Sequence, residues 1–506
     1  MSRILRLPFF VLLMGIAAIA MIAPALLAYG QRDYDTSRTF LYAAILLGLL
    51  TSTIGIAMSN YSPPNVARSQ LLSLVAAFVA LPLLLAVPFY EALGTTRFIN
   101  AWFEMVSSIT TTGATLYDAP GRLPDALHLW RALVGWLGGF LIWTTAVAIF
   151  APMNLGGFEI RAKAEVGEGA RRFDQITRIA DPSERLTRYA LRLAPIYGGL
   201  TLILWIALLL AGETALTALC HAMSTLSTSG ISPEGSLTRA DSGFLGELAI
   251  FAFLFFALSR LTFSRGLLGS EDQTPLLRDP EFRLGLAFVI FLPLALFLRH
   301  WLGAIEIVAG AELADGLRAL WGAVFTVLSF LTTTGFESQY WESARFWSGL
   351  ETPGLLLIGL SLIGGGVATT AGGVKLLRVF ALLRHGRREM ERLIHPSSIG
   401  GAGSDDRRIR RQGAFIAWIF FMLFALSVAG VMVALSLFGV QFETAMVLTV
   451  SALSTTGPLA AVAGEVPISY AGIPDPAKVV LAAAMVLGRL ETLAIIALLN
   501  PDFWRA

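Results

Sequence analysis

The chain has 506 residues, of which 56% are hydrophobic and only 14% charged, and its mean hydropathy is +0.70. A soluble protein of this size carries about 25% charged residues, whereas the apolar positions here come in runs of about 20, enough to cross ~30 Å of hydrocarbon. A soluble enzyme, a disordered chain and a nucleic-acid binder are excluded, and the formal net charge of +2 says less than where the charges sit.

Arg3 and Arg6 precede an apolar stretch from Leu7 to Leu27. It is longer than the ~7–15 residues of a signal-peptide core, so it reads as a retained first transmembrane helix. The apolar pattern predicts ten spans: 8–29, 40–59, 71–90, 127–150, 186–210, 244–261, 282–301, 353–383, 414–438 and 477–499. Basic residues gather in the stretches 161–192, 260–283 and 378–411, which the positive-inside rule places in the cytoplasm, together with both termini. The single cysteine, Cys220, lies in an apolar segment and reads as a small buried residue.

Four further apolar stretches, 98–109, 214–226, 317–331 and 442–453, are too short to span and are candidates for re-entrant helices. Each runs into a hydroxyl-rich knot: Thr110-Thr111-Thr112-Gly113, Ser227-Thr228-Ser229-Gly230, Thr332-Thr333-Thr334-Gly335 and Ser454-Thr455-Thr456-Gly457. The glycines recur at intervals of 117, 105 and 122 residues (113 to 230, 230 to 335, 335 to 457), the mark of an internal repeat. The expected fold is therefore an all-α polytopic membrane protein. Two leading helices (1–69) precede four helix–re-entrant loop–helix repeats (70–152, 153–262, 263–385, 386–506) around a pseudo-fourfold pore.

Irregular backbone at membrane depth survives only when buried in protein or lining a water-filled cavity. Glycine lets several carbonyls turn toward one axis, and carbonyl rings can replace the hydration shell of a potassium ion. A half-helix would also aim its negative C-terminal end at a cation. One such knot alone reads as an ordinary helix stop with glycine at the C-cap; four in the same setting read as an ion filter. The expected potassium ligands are Thr111, Thr112, Gly113, Thr228, Ser229, Gly230, Thr333, Thr334, Gly335, Thr455, Thr456 and Gly457. Asp118, Glu234, Glu337, Glu342 and Glu465 follow the knots, where carboxylates concentrate cations.

The eighth predicted span is interrupted by Gly364, Gly365, Gly366, Gly372 and Gly373. Five glycines in ten positions cannot sustain a helix at ~1 kcal/mol each relative to alanine. A phosphate-binding loop is not matched, since Val374 separates Gly373 from Lys375 and no strand precedes. A mid-membrane break is predicted, with Gly364 to Gly373 and Lys375 as a gate. The last helix carries Arg489, and a charge near the bilayer centre is a functional candidate by default. Its five donors suit the free carbonyls of a broken helix, while Glu491, two residues on, is expected on another face.

These motifs, most specifically Thr110–Ala114, Ser224–Thr228, Thr332–Phe336 and Met485–Glu491, resemble the TrkH branch of the TrkH/KtrB/HKT superfamily of potassium-uptake proteins over essentially the whole chain. The resemblance implies one filter loop per repeat, with glycine in each favouring potassium, whereas members with serine in the first loop tend to pass sodium. It also implies an intramembrane loop that obstructs the pore from its cytoplasmic side, with an arginine at the place of Arg489. A homodimer, a peripheral cytosolic TrkA-type nucleotide-binding subunit and a bacterial inner-membrane location follow from it too. The basic loops read as topology signals attracted to anionic lipid. No cofactor is expected in this chain, potassium being its cargo, and no nucleic acid as partner. The alternative is a cation-coupled secondary transporter of a small solute, which also uses broken helices but usually shows inverted repeats. An intramembrane enzyme lacks any zinc motif, paired aspartates or serine with a base.

Overall fold

The computed structural model describes residues 8–58, 66–151, 153, 156–160, 182–259, 276–303, 313–349, 353–395, 411–464 and 466–491, and among these every regular element is helical. The leading pair comprises α1 (Phe9–Ala20), α2 (Ile22–Gly30) and α3 (Tyr34–Ala57). α1 and α2 form one span interrupted at Met21, because Pro24 has no N–H for the Ala20 carbonyl and its ring crowds it. α3 starts earlier than expected since the Asp33 carboxylate accepts from the Thr36 N–H at 3.2 Å and caps it.

The first repeat contains α4 (Val66–Val79), α5 (Leu81–Leu93), the half-helix α6 (Phe98–Ile109) and α7 (Asp125–Thr145). The second contains α8 (Pro182–Leu210), the half-helix α9 (Ala215–Ser227) and α10 (Gly243–Leu254). The third contains α11 (Pro280–Gly303), α12 (Leu313–Leu331), α13 (Trp341–Ser348), α14 (Gly354–Ile363) and α15 (Leu376–Ile394). The fourth contains α16 (Arg411–Leu437), the half-helix α17 (Phe442–Leu453), α18 (Leu459–Ala463) and α19 (Asp475–Leu490).

Eight helices among the described residues are long and apolar enough to cross a membrane, against ten predicted spans. The span expected at 244–261 is the shorter helix Gly243–Ala257, the one at 353–383 is broken at its glycines, and the last is described only to Glu491. Conversely, the stretch expected at 317–331 extends back to Leu313 and reaches spanning length. Its added turn carries Asp315, exposed and paired with Arg318 at 3.3 Å, a charge that ends the apolar pattern without ending the helix. The predicted basic residues 161–181, 260–275 and 396–410, along with Glu465 and 492–499, lie outside the described residues.

The second span of each repeat packs on the half-helix of the next: α7 on α9, α10 on α12, α14 on α17. α19 returns to α6, so the four repeats close into a ring. Charges reinforce that closure: Arg97 before α6 meets Asp475 of α19 at 2.6 Å, and Lys478 donates to Asn100 Oδ1 at 2.9 Å. Burial separates centre from rim, with 72% of the α7 span buried but 17% of the α16 span and 22% of α3. Outward-facing Leu210, Leu437 and Ile56 give the rim a broad apolar surface of the kind that lipid covers. The chain is a multi-pass helical membrane protein.

Candidate functional site

The four knots share one backbone geometry. Thr111, Thr228, Thr333 and Thr455 occupy equivalent positions and all adopt left-handed φ, at 53°, 52°, 57° and 55°. In the first repeat the Thr111 N–H donates to the Ser108 carbonyl at 2.9 Å and the Thr112 N–H to the Ser107 carbonyl at 2.8 Å. This is the Schellman arrangement that ends helices, and the other three knots reproduce it from Thr228, Thr333 and Thr455. The usual residue at that position is glycine; a β-branched residue there is an outlier, strained by roughly 1–3 kcal/mol. The helix-stop role that a single knot would assign to its glycine thus falls on another residue. Threonine stops each helix, and the glycine two residues later serves another purpose.

That purpose is close approach at the axis. A Cβ on Gly113 would stand 1.9 Å from the Ser229 carbonyl oxygen, and one on Gly230 would stand 2.2 Å from the Thr334 oxygen. Gly113, Gly230 and Gly335 are also left-handed, at 73°, 66° and 81°. The hydroxyls of Thr112, Ser229, Thr334 and Thr456 turn back onto Thr110, Ser227, Thr332 and Ser454, at 2.8, 3.0, 3.2 and 3.2 Å. These four residues can therefore offer the axis carbonyls and not side chains.

The fourth knot departs from the pattern. Gly457 is not left-handed, its N–H donates to the Thr112 carbonyl at 2.6 Å, and its own carbonyl accepts from the Tyr470 hydroxyl at 3.1 Å. The Pro458 ring packs beside both Gly230 and Gly335. All twelve expected ligand residues are buried and converge on this ring.

Behind the knots, the half-helix residue nine positions before the glycine holds the returning chain. Glu104 accepts from Thr115 Oγ1 at 2.9 Å and the Leu116 N–H at 2.6 Å, and pairs with Arg131 Nε at 2.8 Å. His221 Nε2 meets Ser232 Oγ at 2.8 Å while its Nδ1 is hydrogen-bonded to Glu213. Thr326 Oγ1 accepts from the Ser338 N–H at 3.4 Å, helped by Glu247 of α10, which takes the Gln339 N–H at 2.5 Å. Leu448 stands at the fourth equivalent position. These supports were missed in the sequence, as was the serine six residues before every glycine (Ser107, Ser224, Ser329, Ser451), a recurrence that was there to be read.

Among the acidic residues beyond the knots, Asp118 is exposed and accepts from Ser469 Oγ at 2.6 Å. Glu234 is half-buried and Glu342 exposed. Burial pushes the Glu337 carboxyl up to about 7, against the opposing pull of Arg345.

The glycine-rich break lies directly against this ring. Its limbs pair: Val374 N–H to Leu362 O, Lys375 N–H to Ile363 O and Leu376 N–H to Gly365 O, each at 2.9 Å. Gly364 and Gly373, left-handed at 73° and 75°, meet where a side chain on either would collide with the other limb. The segment is thus a compact loop with a closed neck. Outside the neck it depends on neighbours. The Gly366 N–H donates to Ala257 O at 2.9 Å and the Val367 N–H to Glu281 Oε1 at 3.2 Å. Thr370 Oγ1 donates to Leu226 O at 3.1 Å, and the Gly372 N–H to Thr333 Oγ1 at 2.7 Å.

Arg489 Nη1 donates to the Thr370 carbonyl at 2.7 Å, and its buried Nε and Nη2 have no hydrogen-bond partner. The Lys375 ammonium donates to the Ala371 carbonyl from a left-handed backbone (φ 84°). Lys375, Arg489 and Glu491 line one narrow cavity with Ile142 and Phe150. The expectation for Glu491 is corrected here. α19 ends at Leu490 and Glu491 turns left-handed (φ 61°), so helical periodicity no longer sets its direction, and its carboxylate reaches Arg378 Nη2 at 2.7 Å.

The sequence profile of the family described as "TrkH: Cation transport protein" matches residues 37–502. The Trk system potassium uptake protein TrkH of Halomonas elongata is 33% identical over 472 residues, 90% of each chain. The protein of the same name from Escherichia coli K12 is 30% identical over 488 residues, 96% of each. The crystal structure of the potassium transporter TrkH from Vibrio parahaemolyticus superposes with a TM-score of 0.81 at 28% identity, covering 98% of both chains.

Proposed function

The chain belongs to the TrkH family of cation transport proteins, and from that premise we propose that it carries potassium into the cell through the four-knot ring, with the glycine loop as gate. The observation that supports this reading most is the fourfold recurrence of a threonine-stopped half-helix whose following glycine approaches the next knot. Carbonyls brought together at the negative ends of converging helices suit a dehydrated cation. In this reading the five segments expected from the sequence are the functional units. Three of the four knots provide ligands in equivalent fashion, and the fourth completes the ring with its proline-bearing turn.

The glycine loop lies under the inner face of the ring, where it touches Leu226, Thr333 and Thr455, and Arg489 holds its tip. Conduction then requires the loop to leave the axis. The inner membrane, cytoplasmic termini, a homodimer and a cytosolic nucleotide-binding Trk partner belong to the same proposal, as does attraction of the basic loops to anionic lipid. The relatives' names support a Trk-type system.

The test is potassium against sodium uptake in liposomes by the wild type and Gly113→Ser. A side chain at this left-handed position collides with the Ser229 carbonyl, so discrimination should fall by at least ~10-fold, about 1.4 kcal/mol. Unchanged discrimination would refute the filter.

A further inference from the structure

The gate reading leaves one buried pair without a role. Arg378 lies one turn into α15, immediately after the glycine loop, and is fully buried. Its Nη2 meets Glu491 Oε2 at 2.7 Å, its guanidinium stacks 3.7 Å over the Phe420 ring of α16, and its Nη1 reaches back to Val374 O at 3.4 Å. Two residues earlier on the partner helix, Arg489 holds Thr370 at the loop tip. The end of α19 thus grips the third repeat twice, through a cation on the loop and a carboxylate on the helix that follows it.

Buried ion pairs are poor stabilisers, because desolvation offsets most of their attraction; their better attested use is to fix one of two arrangements. In an apolar membrane protein that weighting is stronger still. The surrounding geometry gives the pair something to fix. The neck of the glycine loop is closed by three backbone hydrogen bonds, from Val374, Lys375 and Leu376 to Leu362, Ile363 and Gly365, which tie the start of α15 to the end of α14, so loop and helix start move as one body. The tip, by contrast, rests on contacts to other elements.

We propose that Arg378–Glu491 is the latch that holds this body in the closed position, with Glu491 as a positioning residue acting through Arg378. The proposal rests on the gate reading. Opening would break the pair at the base of α15 and let the closed-neck loop swing out without unfolding. Phe420 provides a second seat for the guanidinium, which keeps Arg378 from being stranded when the carboxylate leaves.

The test is potassium efflux from liposomes loaded with purified full-length protein, without any partner subunit. Glu491→Gln keeps the shape and removes the charge, and is expected to raise basal flux about tenfold while leaving the potassium-to-sodium ratio at the wild-type value. The exchanged pair, Arg378→Glu with Glu491→Arg, should return flux toward wild type; a merely structural role would instead lower the thermal unfolding midpoint of Glu491→Gln with basal flux at the wild-type value, which would overturn the latch. A control lacking residues 367–371 of the loop separates the two ideas. High flux in that control with wild-type flux in Glu491→Gln overturns the latch and leaves the gate standing. Wild-type flux in both overturns the gate itself. If Glu491→Gln fails to reach the membrane, Glu491→Asp takes its place. It shortens the reach by one methylene, so raised flux again supports the latch and wild-type flux again overturns it.

Discussion

The knots and the glycine loop are both irregular, glycine- and hydroxyl-rich backbone at membrane depth, yet they satisfy their polar groups in opposite ways. Each knot closes its own helix end through two local hydrogen bonds from the left-handed threonine and its successor. The loop secures its neck locally and adds a few internal bonds, Thr369 Oγ1 to the Gly366 carbonyl at 2.7 Å and the Lys375 ammonium to the Ala371 carbonyl. Its tip relies on Ala257, Glu281, Leu226, Thr333 and Arg489, drawn from other helices. Self-satisfied backbone keeps its shape whatever its neighbours do, whereas borrowed partners can be returned. On the proposed reading, a rigid selector and a movable barrier are distinguished by who supplies the hydrogen bonds, although both segments are built from glycine and hydroxyl residues.

The contrast can be broken most forcefully at Arg489. Arg489→Ala removes a charged donor from Thr370 O, an interaction class worth ~1.5–3 kcal/mol. Basal potassium flux should rise by roughly 10- to 100-fold with ion preference intact; a wild-type response would refute a role in the pathway. A smaller effect, of the opposite kind, is expected at Thr111. Its hydroxyl has no hydrogen-bond partner and its φ is 53°. Thr111→Gly should therefore relieve strain and raise the thermal unfolding midpoint, by about 1 kcal/mol of stability, while loosening discrimination between potassium and sodium without raising basal flux. If it opened the pathway instead, the knots would not be independent of the gate. The smallest effect should come from external pH. Glu337, two residues past the third knot, is charged only above about 7. Uptake at subsaturating potassium should rise roughly twofold between external pH 6 and 8, and Glu337→Gln should flatten that profile. Arg489→Ala, acting on the other side of the ring, should keep it.

Much of this architecture was legible in the sequence. The half-helices 98–109 and 442–453 coincide with α6 and α17, and the glycine break stands between α14 and α15 as expected. Apolar length and clustered glycines act locally, so they survive in a string of letters. The rest depends on distance. Glu104 reaches across to the returning chain, and Glu247 supports a knot in the next repeat. Arg378 and Glu491 lie 113 residues apart and join only because α19 stops one residue short of the carboxylate. No periodicity predicts where a helix ends under such a constraint. The left-handed threonines were hidden for a different reason: the glycine two residues on offered the obvious explanation for the turn.

The fourth knot, where Gly457 leans on Thr112 and Pro458 sits between Gly230 and Gly335, has a consequence for heredity. In a pore assembled from four identical chains every codon is read four times, so a change at the axis arrives in all quadrants together. Here the quadrants are written separately in one gene. Each can drift, specialise or be repaired alone, and selection can tune permeation in quarter steps.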